Sequence, residues 1–196
     1  MGRSQRLVER YFKKDFMKEI NVIDLDKTLI PYDSFRLFVI GRIKSIDVKI
    51  MFLTLLRKLR FLSASKYKEK IILTTNLTDN SKEVDKIVSM ILKSINKDIL
   101  ELIENNSNNE TFNISCSASP DIYVKIIAEH FGWKGFGSYI EQENFYHMWG
   151  EKKLKFIYNN YPPNEYIYNF AISDSESDLQ LLKQFKKYEL KKWTSH

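Results

Sequence analysis

The run Ile20-Asn21-Val22-Ile23 is apolar and β-branched, and it ends directly on two carboxylates, Asp24 and Asp26. A near-continuous run of this kind reads as a strand buried on both faces, which confines it to a parallel sheet covered by helices. In an open α/β sheet ligands bind beyond the carboxyl ends of the strands, so both aspartates fall where a site is built. Two carboxylates that reach one pocket can divide the work, one attacking an electrophile while the other moves a proton. The same Asp-x-Asp-x-Thr spacing, completed here by Thr28, also occurs in solvated turns, so the pattern alone leaves both readings open.

The rest of the chain supports the sheet. Residues 33–105 carry a helical pattern, with helices predicted over 34–40 (Ser34 as its cap), 46–62, 66–74, 81–95 and 98–104, and no convincing strand. Strand and helix then alternate. Residues 111–116 read as a strand and Pro120 as the opening of a helix to about 130. The aromatic-rich stretch 136–149 reads as a hairpin or flap, 153–158 as a helix, 166–172 as a strand and 177–185 as a helix. This rhythm predicts an α/β fold: a Rossmann-like three-layer α/β/α core with a parallel sheet, formed by residues 17–32 and 106–196. Residues 33–105 are expected to be a small helical cap inserted after the first strand, residues 1–16 an N-terminal extension, and the Asn-rich stretch 104–110 a loop or hinge.

Charge and cysteine usage narrow the function classes. A net charge of +6 suits anionic small molecules or an acidic surface, but the basic residues are spread along the chain and nucleic-acid binding is not expected. The lone cysteine, Cys116, permits no internal disulfide and lies in an apolar stretch, which fits a reducing cytoplasm and a small buried hydrophobe rather than a nucleophile. Residues 1–16 lack the apolar core of a secretory signal. The most apolar stretch, 46–62, is interrupted by Asp47, Lys49, Arg57, Lys58 and Arg60, so it is no membrane span and a soluble protein is expected. The first expectation for this basic amphipathic helix is that it buries its apolar face; contact with a membrane surface is the other reading.

Three further pieces carry chemistry. Ser117-Ala118-Ser119-Pro120 stands where a strand turns into a helix, placing a hydroxyl and free backbone N–H groups where phosphate binds, or simply a serine cap. Gly150-Glu151-Lys152-Lys153-Leu154 puts lysine at a helix start, where the dipole disfavours cations, which suggests an ammonium used on an anion. Ser173-Asp174-Ser175-Glu176-Ser177-Asp178 delivers two more carboxylates directly after an apolar strand. Four aspartates at one sheet edge repel one another, and a hard divalent cation with oxygen ligands, Mg²⁺ above all, resolves that repulsion.

In this order and at these places, the four pieces resemble the four motifs of the haloacid dehalogenase superfamily, and the helical block resembles the cap of its phosphoserine-phosphatase-like branch. The resemblance implies a phosphatase working through an aspartyl-phosphate, with Asp24 as nucleophile and Asp26 as general acid/base. It implies that Ser117 and Lys153 hold the phosphoryl group, with Lys152 the competitor for the lysine's role. Mg²⁺ would sit on the Asp24 carboxylate, the Asp26 backbone carbonyl and Asp174, with Asp178 in support and Thr28 bracing the loop. Lys27 and Ser173 stand where the family often has glycine. Asp33 falls near an acidic residue that reads a substrate amine in phosphoserine phosphatases, and it equally suits a helix cap. The expected substrate is a small phosphorylated metabolite, an amino-acid, amino-alcohol or sugar phosphate. The alternatives are a lipid phosphate at a membrane surface and a non-catalytic module on the same fold.

Overall fold

The computed structural model describes residues 17–192, and the proposed extension over residues 1–16 lies outside the described residues. Strand β1 (Lys18–Ile23) is followed by five helices, α1 (Ser34–Lys44), α2 (Val48–Lys58), α3 (Ala64–Thr75), α4 (Ser81–Leu92) and α5 (Lys97–Asn105). The chain then returns through β2 (Thr111–Pro120), α6 (Asp121–His130), β3 (Lys134–Glu141) and β4 (Asn144–Tyr146). Helix α7 (Glu151–Asn160), β5 (Tyr166–Ser173), a 3₁₀ turn (Glu176–Asp178), α8 (Leu179–Leu182) and β6 (Lys187–Leu190) complete it. The strands form one sheet in the order β4-β3-β2-β1-β5-β6, parallel except where β4 folds back on β3.

Both faces of the sheet are covered. Ile23, Phe170 and Ile172 turn to one face, where they join Val124 and Ile127 of α6 and the buried isoleucines of the helical block, among them Ile50, Ile71, Ile91 and Ile103. Ile20, Val22, Ile114 and Cys116 turn to the other, against Ile157 of α7 and Leu181 and Leu182 of α8. This is the three-layer α/β arrangement with helices inserted after the first strand.

One polar residue interrupts the apolar run of the central strand. Asn21 is wholly buried, and its amide nitrogen donates towards the Asn106 carbonyl (3.1 Å), Ser107 Oγ (3.0 Å) and Asn113 Oδ1 (2.9 Å). Its Oδ1 accepts from Phe170 N (3.1 Å) and from Asn169 Nδ2 (3.0 Å), beside the register shift in the pairing of β1 with β5. A buried amide must satisfy both ends, so Asn21 pins the chain returning from α5 onto the sheet.

Several expectations change in detail. Asp33, not Ser34, caps α1: its Oδ1 accepts from Arg36 N at 2.8 Å, while the Ser34 hydroxyl turns inward. The first arm of the expected flap is a strand of the main sheet, paired in parallel with β2 before it turns into the hairpin with β4. Its glycines are there for close approach rather than for a turn, since a Cβ on Gly137 would lie 2.4 Å from the Ser119 carbonyl oxygen. The last helix is shorter than predicted, and edge strand β6 was not foreseen. In α2 the apolar stripe is real but faces outward: Ile50 alone is fully buried, whereas Val48, Phe52, Leu55 and Leu59 are 51–69% exposed.

Candidate active site

The strand ends build one cleft of about 220 Å³ at the carboxyl edge of the sheet. Asp24, Asp26, Asp33, Ser117, Lys153, Asp174 and Asp178 all line it, and Thr28 lies buried behind Asp24. All eight side chains singled out from the sequence therefore meet at one place.

Asp24 follows the last residue of β1, and its N–H bonds to the Ile172 carbonyl of β5 at 2.9 Å. The chain then turns sharply: Ile30 N and Thr28 N both return to the Leu25 carbonyl, and Lys27 adopts φ 53°. That left-handed conformation costs a side-chain-bearing residue what it does not cost glycine, which accounts for lysine being the unusual choice here. The turn brings Thr28 Oγ1 to 3.4 Å from Asp24 Oδ2.

Lys153 enters from the first turn of α7, only 3% exposed, and its ammonium lies 2.7 Å from both Asp24 Oδ1 and Asp178 Oδ2. Burial alone would lower its pKa, but the two carboxylates outweigh that and hold it above the ordinary lysine value. Burial pushes the Asp24 carboxyl up to about 7, with the Lys153 charge pulling the other way. Lys152 stands outside, its ammonium 5.3 Å from the centre of the Tyr146 ring. Asp178 is further held by Ser173 Oγ at 2.8 Å, while its Oδ1 is buried with no partner. Serine where the family often has glycine thus supplies a donor to Asp178.

Asp26 is turned to a separate set of donors. Its Oδ1 accepts from Ser34 N at 2.9 Å, and its Oδ2 accepts from Ser119 Oγ. The hydroxyls of Ser34 and Ser119 lie 3.2 Å apart, and Tyr123 OH lies 3.0 Å from Ser34 Oγ. Burial raises the Asp26 carboxyl above the usual range, with the Ser119 and Ser34 hydrogen bonds opposing it. The two carboxylates of the first motif therefore occupy different environments, the condition under which one attacks and the other handles protons.

Ser117 is 1% exposed and accepts from Ser119 N at 3.2 Å; helix α6, which begins just beyond it, has no side-chain cap on its first N–H groups. Cys116 is wholly buried and burial pushes its thiol up to about 12, so it stays protonated and inert.

Lys68 of α3 was not foreseen. Its ammonium donates to the Ala118 carbonyl at 2.6 Å, lies 4.9 Å from the centre of the Phe35 ring, and lines the cleft. Trp149 completes the wall.

Among the described residues no three His, Cys, Asp or Glu side chains form a cation cage. The set implied by the motifs does not require one, because it combines two carboxylates, Asp24 and Asp174, with the Asp26 backbone carbonyl. Burial raises the Asp174 carboxyl, with Lys27 and Lys153 opposing. An all-oxygen donor set beside a buried orphan oxygen of Asp178 fits a hard divalent ion that keeps some of its water.

Carboxylates, a buried lysine and a buried hydroxyl are gathered at the carboxyl edge of a doubly covered parallel sheet, the place where open α/β folds bind their ligands. Residues 22–183 match the haloacid dehalogenase-like hydrolases, and the chain belongs to that family. Comparison with curated protein sequences gives no match. Among solved structures, a protein of unknown function from Bordetella pertussis Tohama I superposes with a TM-score of 0.66 at 14% identity, over 88% of this chain and 89% of that one. A phosphoserine phosphatase holding a phospho-aspartyl intermediate analogue gives 0.54 at 16% identity, over 89% and 94%. A phosphoserine phosphohydrolase-like protein from Francisella tularensis gives 0.56 at 17% identity, over 88% and 86%. These likenesses are of fold.

Proposed function

We propose that the protein is a phosphatase that hydrolyses a small phosphomonoester through an aspartyl-phosphate on Asp24. The observation that carries this reading is the single cleft shared by Asp24, Asp26, Ser117, Lys153 and Asp174. Asp24 attacks phosphorus in line with the leaving oxygen, while Lys153 and the Ser117 hydroxyl hold the equatorial oxygens as charge spreads over them. Asp26, its carboxyl raised by burial, gives its proton to the departing alkoxide and then takes one from the water that cleaves the acyl-phosphate. Ser34, Ser119 and Tyr123 hold Asp26 in place through that exchange, and Thr28 braces the turn. Mg²⁺ held by the Asp24 and Asp174 carboxylates and the Asp26 carbonyl would supply positive charge that offsets the repulsion between Asp24 and an anionic substrate.

Asp33 and Lys68 are the charged side chains that the helical cap, residues 33–105, contributes to the cleft. They favour a substrate with charge or hydroxyls beyond its phosphate: an amino-acid, amino-alcohol or sugar phosphate. In the cap reading, Asp33 takes a substrate ammonium in addition to capping α1. The basic residues are spread along the chain, which disfavours a nucleic-acid partner, and the lone buried thiol fits a cytoplasmic protein.

Hydrolysis of an aryl phosphate is expected to vanish on chelation and return with Mg²⁺. Undiminished turnover after metal removal, checked by elemental analysis, would rule out the metal assignment. Replacement of Lys68 by Met is expected to raise KM for alkyl phosphates roughly tenfold with kcat little changed, because a charged hydrogen bond contributes about 1.5–3 kcal/mol to binding. Steady-state kinetics against melting temperature separates this from a structural staple to Ala118, which would lower stability and leave KM alone.

A further inference from the structure

We infer that the outer face of α2 is a docking surface for an anionic lipid bilayer. The inference stands apart from the phosphatase reading. Val48, Phe52, Leu55 and Leu59 recur at spacings of four, three and four residues, which places them on one stripe of the helix, with Met51 beside it. Every one of them is exposed, from 44% for Met51 to 69% for Val48. Ile46 before the helix and Phe61 after it extend the apolar strip and are 76% and 74% exposed. The opposite side of the helix faces the protein, through buried Ile50 and through Thr54, whose hydroxyl meets Tyr67 OH of α3 at 2.9 Å. The stripe therefore looks away from the fold.

Charge selects the occupant. Lys49 falls on one flank of the stripe and Lys58 on the other, and Arg60 follows just past the helix end, all exposed. No Asp or Glu occurs between Val48 and Leu62. The nearest acid, Asp47, is tied to Arg42 at 2.6 Å while it caps the helix. An apolar strip with cations along both edges matches a bilayer surface, where acyl chains take the strip and anionic headgroups take the ammonium and guanidinium groups. A second copy of the chain is disfavoured, because a two-fold contact through this face sets the basic flanks against their own counterparts. No helix among the described residues is long and apolar enough to cross a membrane, so the contact is peripheral.

The surface adjoins the cleft. Ala64 and Ser65, just past Phe61, line a cavity together with Trp149, and Trp149 also walls the catalytic cleft.

Co-sedimentation of the full chain with vesicles tests the inference. Binding is expected to vesicles of phosphatidylglycerol mixed into phosphatidylcholine, to weaken with salt, and to be absent on phosphatidylcholine alone. The double variant F52E/L55E is expected to lose binding at least tenfold, and K49Q and K58Q about fivefold each, the factor for about 1 kcal/mol per basic residue near an anionic surface. Melting temperature and aryl-phosphate turnover of these variants should match the parent, since none of the residues lies in the cleft. Absence of binding to the anionic vesicles at low salt would overturn the proposal, and so would binding unaffected by the variants. A concentration-dependent dimer in analytical ultracentrifugation, dissociated by F52E/L55E, would assign the face to a second copy instead.

Discussion

Asp24→Asn is expected to leave a folded protein whose phosphatase turnover has fallen on the order of 10⁴-fold or more, the loss typical of removing a nucleophile. Asparagine matches aspartate in size, so the packing at the end of β1 is kept. The amide is a poor nucleophile and cannot form the acyl-phosphate. Stability should change little, because two effects oppose each other. Removing a buried charge relieves its desolvation, while Lys153 loses one of its two anionic partners and keeps Asp178. Acid-quenched wild-type protein incubated with a labelled phosphomonoester should carry hydroxylamine-labile label, and the variant none. Near-parental rates in repurified variant would require another nucleophile, and Cys116 is no candidate because its thiol is buried and protonated.

The residues legible in the sequence share one property: they stand at the end of an apolar strand or the start of a helix. There the chemical pattern and the position in the fold are read together. Asp24 and Asp174 each follow a β run and Ser117 lies near the end of one, and parallel topology alone then brings them to one edge. Lys68 has no such marker. It is one of several lysines in α3, and its only signal is that it precedes buried Ile71, Ile72 and Thr75 at helical spacing, a lysine on an inward stripe. Ser34 and Tyr123 escaped for a related reason, since the Ser34 hydroxyl meets Ser119 and Tyr123 only once α1 and α6 are docked. Periodicity found the stripe of α2 but carries no information on which way a stripe faces; tertiary packing decides that, and here it left the stripe outside. Edge strand β6 is four residues of mixed charge, too short and too polar to stand out from a terminal loop.

Lys153→Met should cost both activity and fold stability, whereas Lys152→Met should cost neither. The ammonium of Lys153 pairs with both Asp24 and Asp178, whose side chains are 9% and 2% exposed. Methionine fills much of the same volume but leaves two buried carboxylates facing each other without a counter-charge. Breaking a buried ion pair by removing one partner typically costs about 3–5 kcal/mol, because the stranded charge has neither water nor partner. For a domain of this size each kcal/mol corresponds to about 2–4 °C in Tm, so a fall of roughly 6–20 °C is expected. Activity should fall with it even well below the melting transition, since the group that neutralises the transferring phosphoryl oxygens is gone. The Lys152 ammonium lies over the face of Tyr146 at the surface, an interaction of about 0.5–1 kcal/mol at exposed sites. Paired thermal melts and kinetics on the two variants decide between them. Equal effects, or a stable and active Lys153→Met protein, would remove Lys153 from the mechanism.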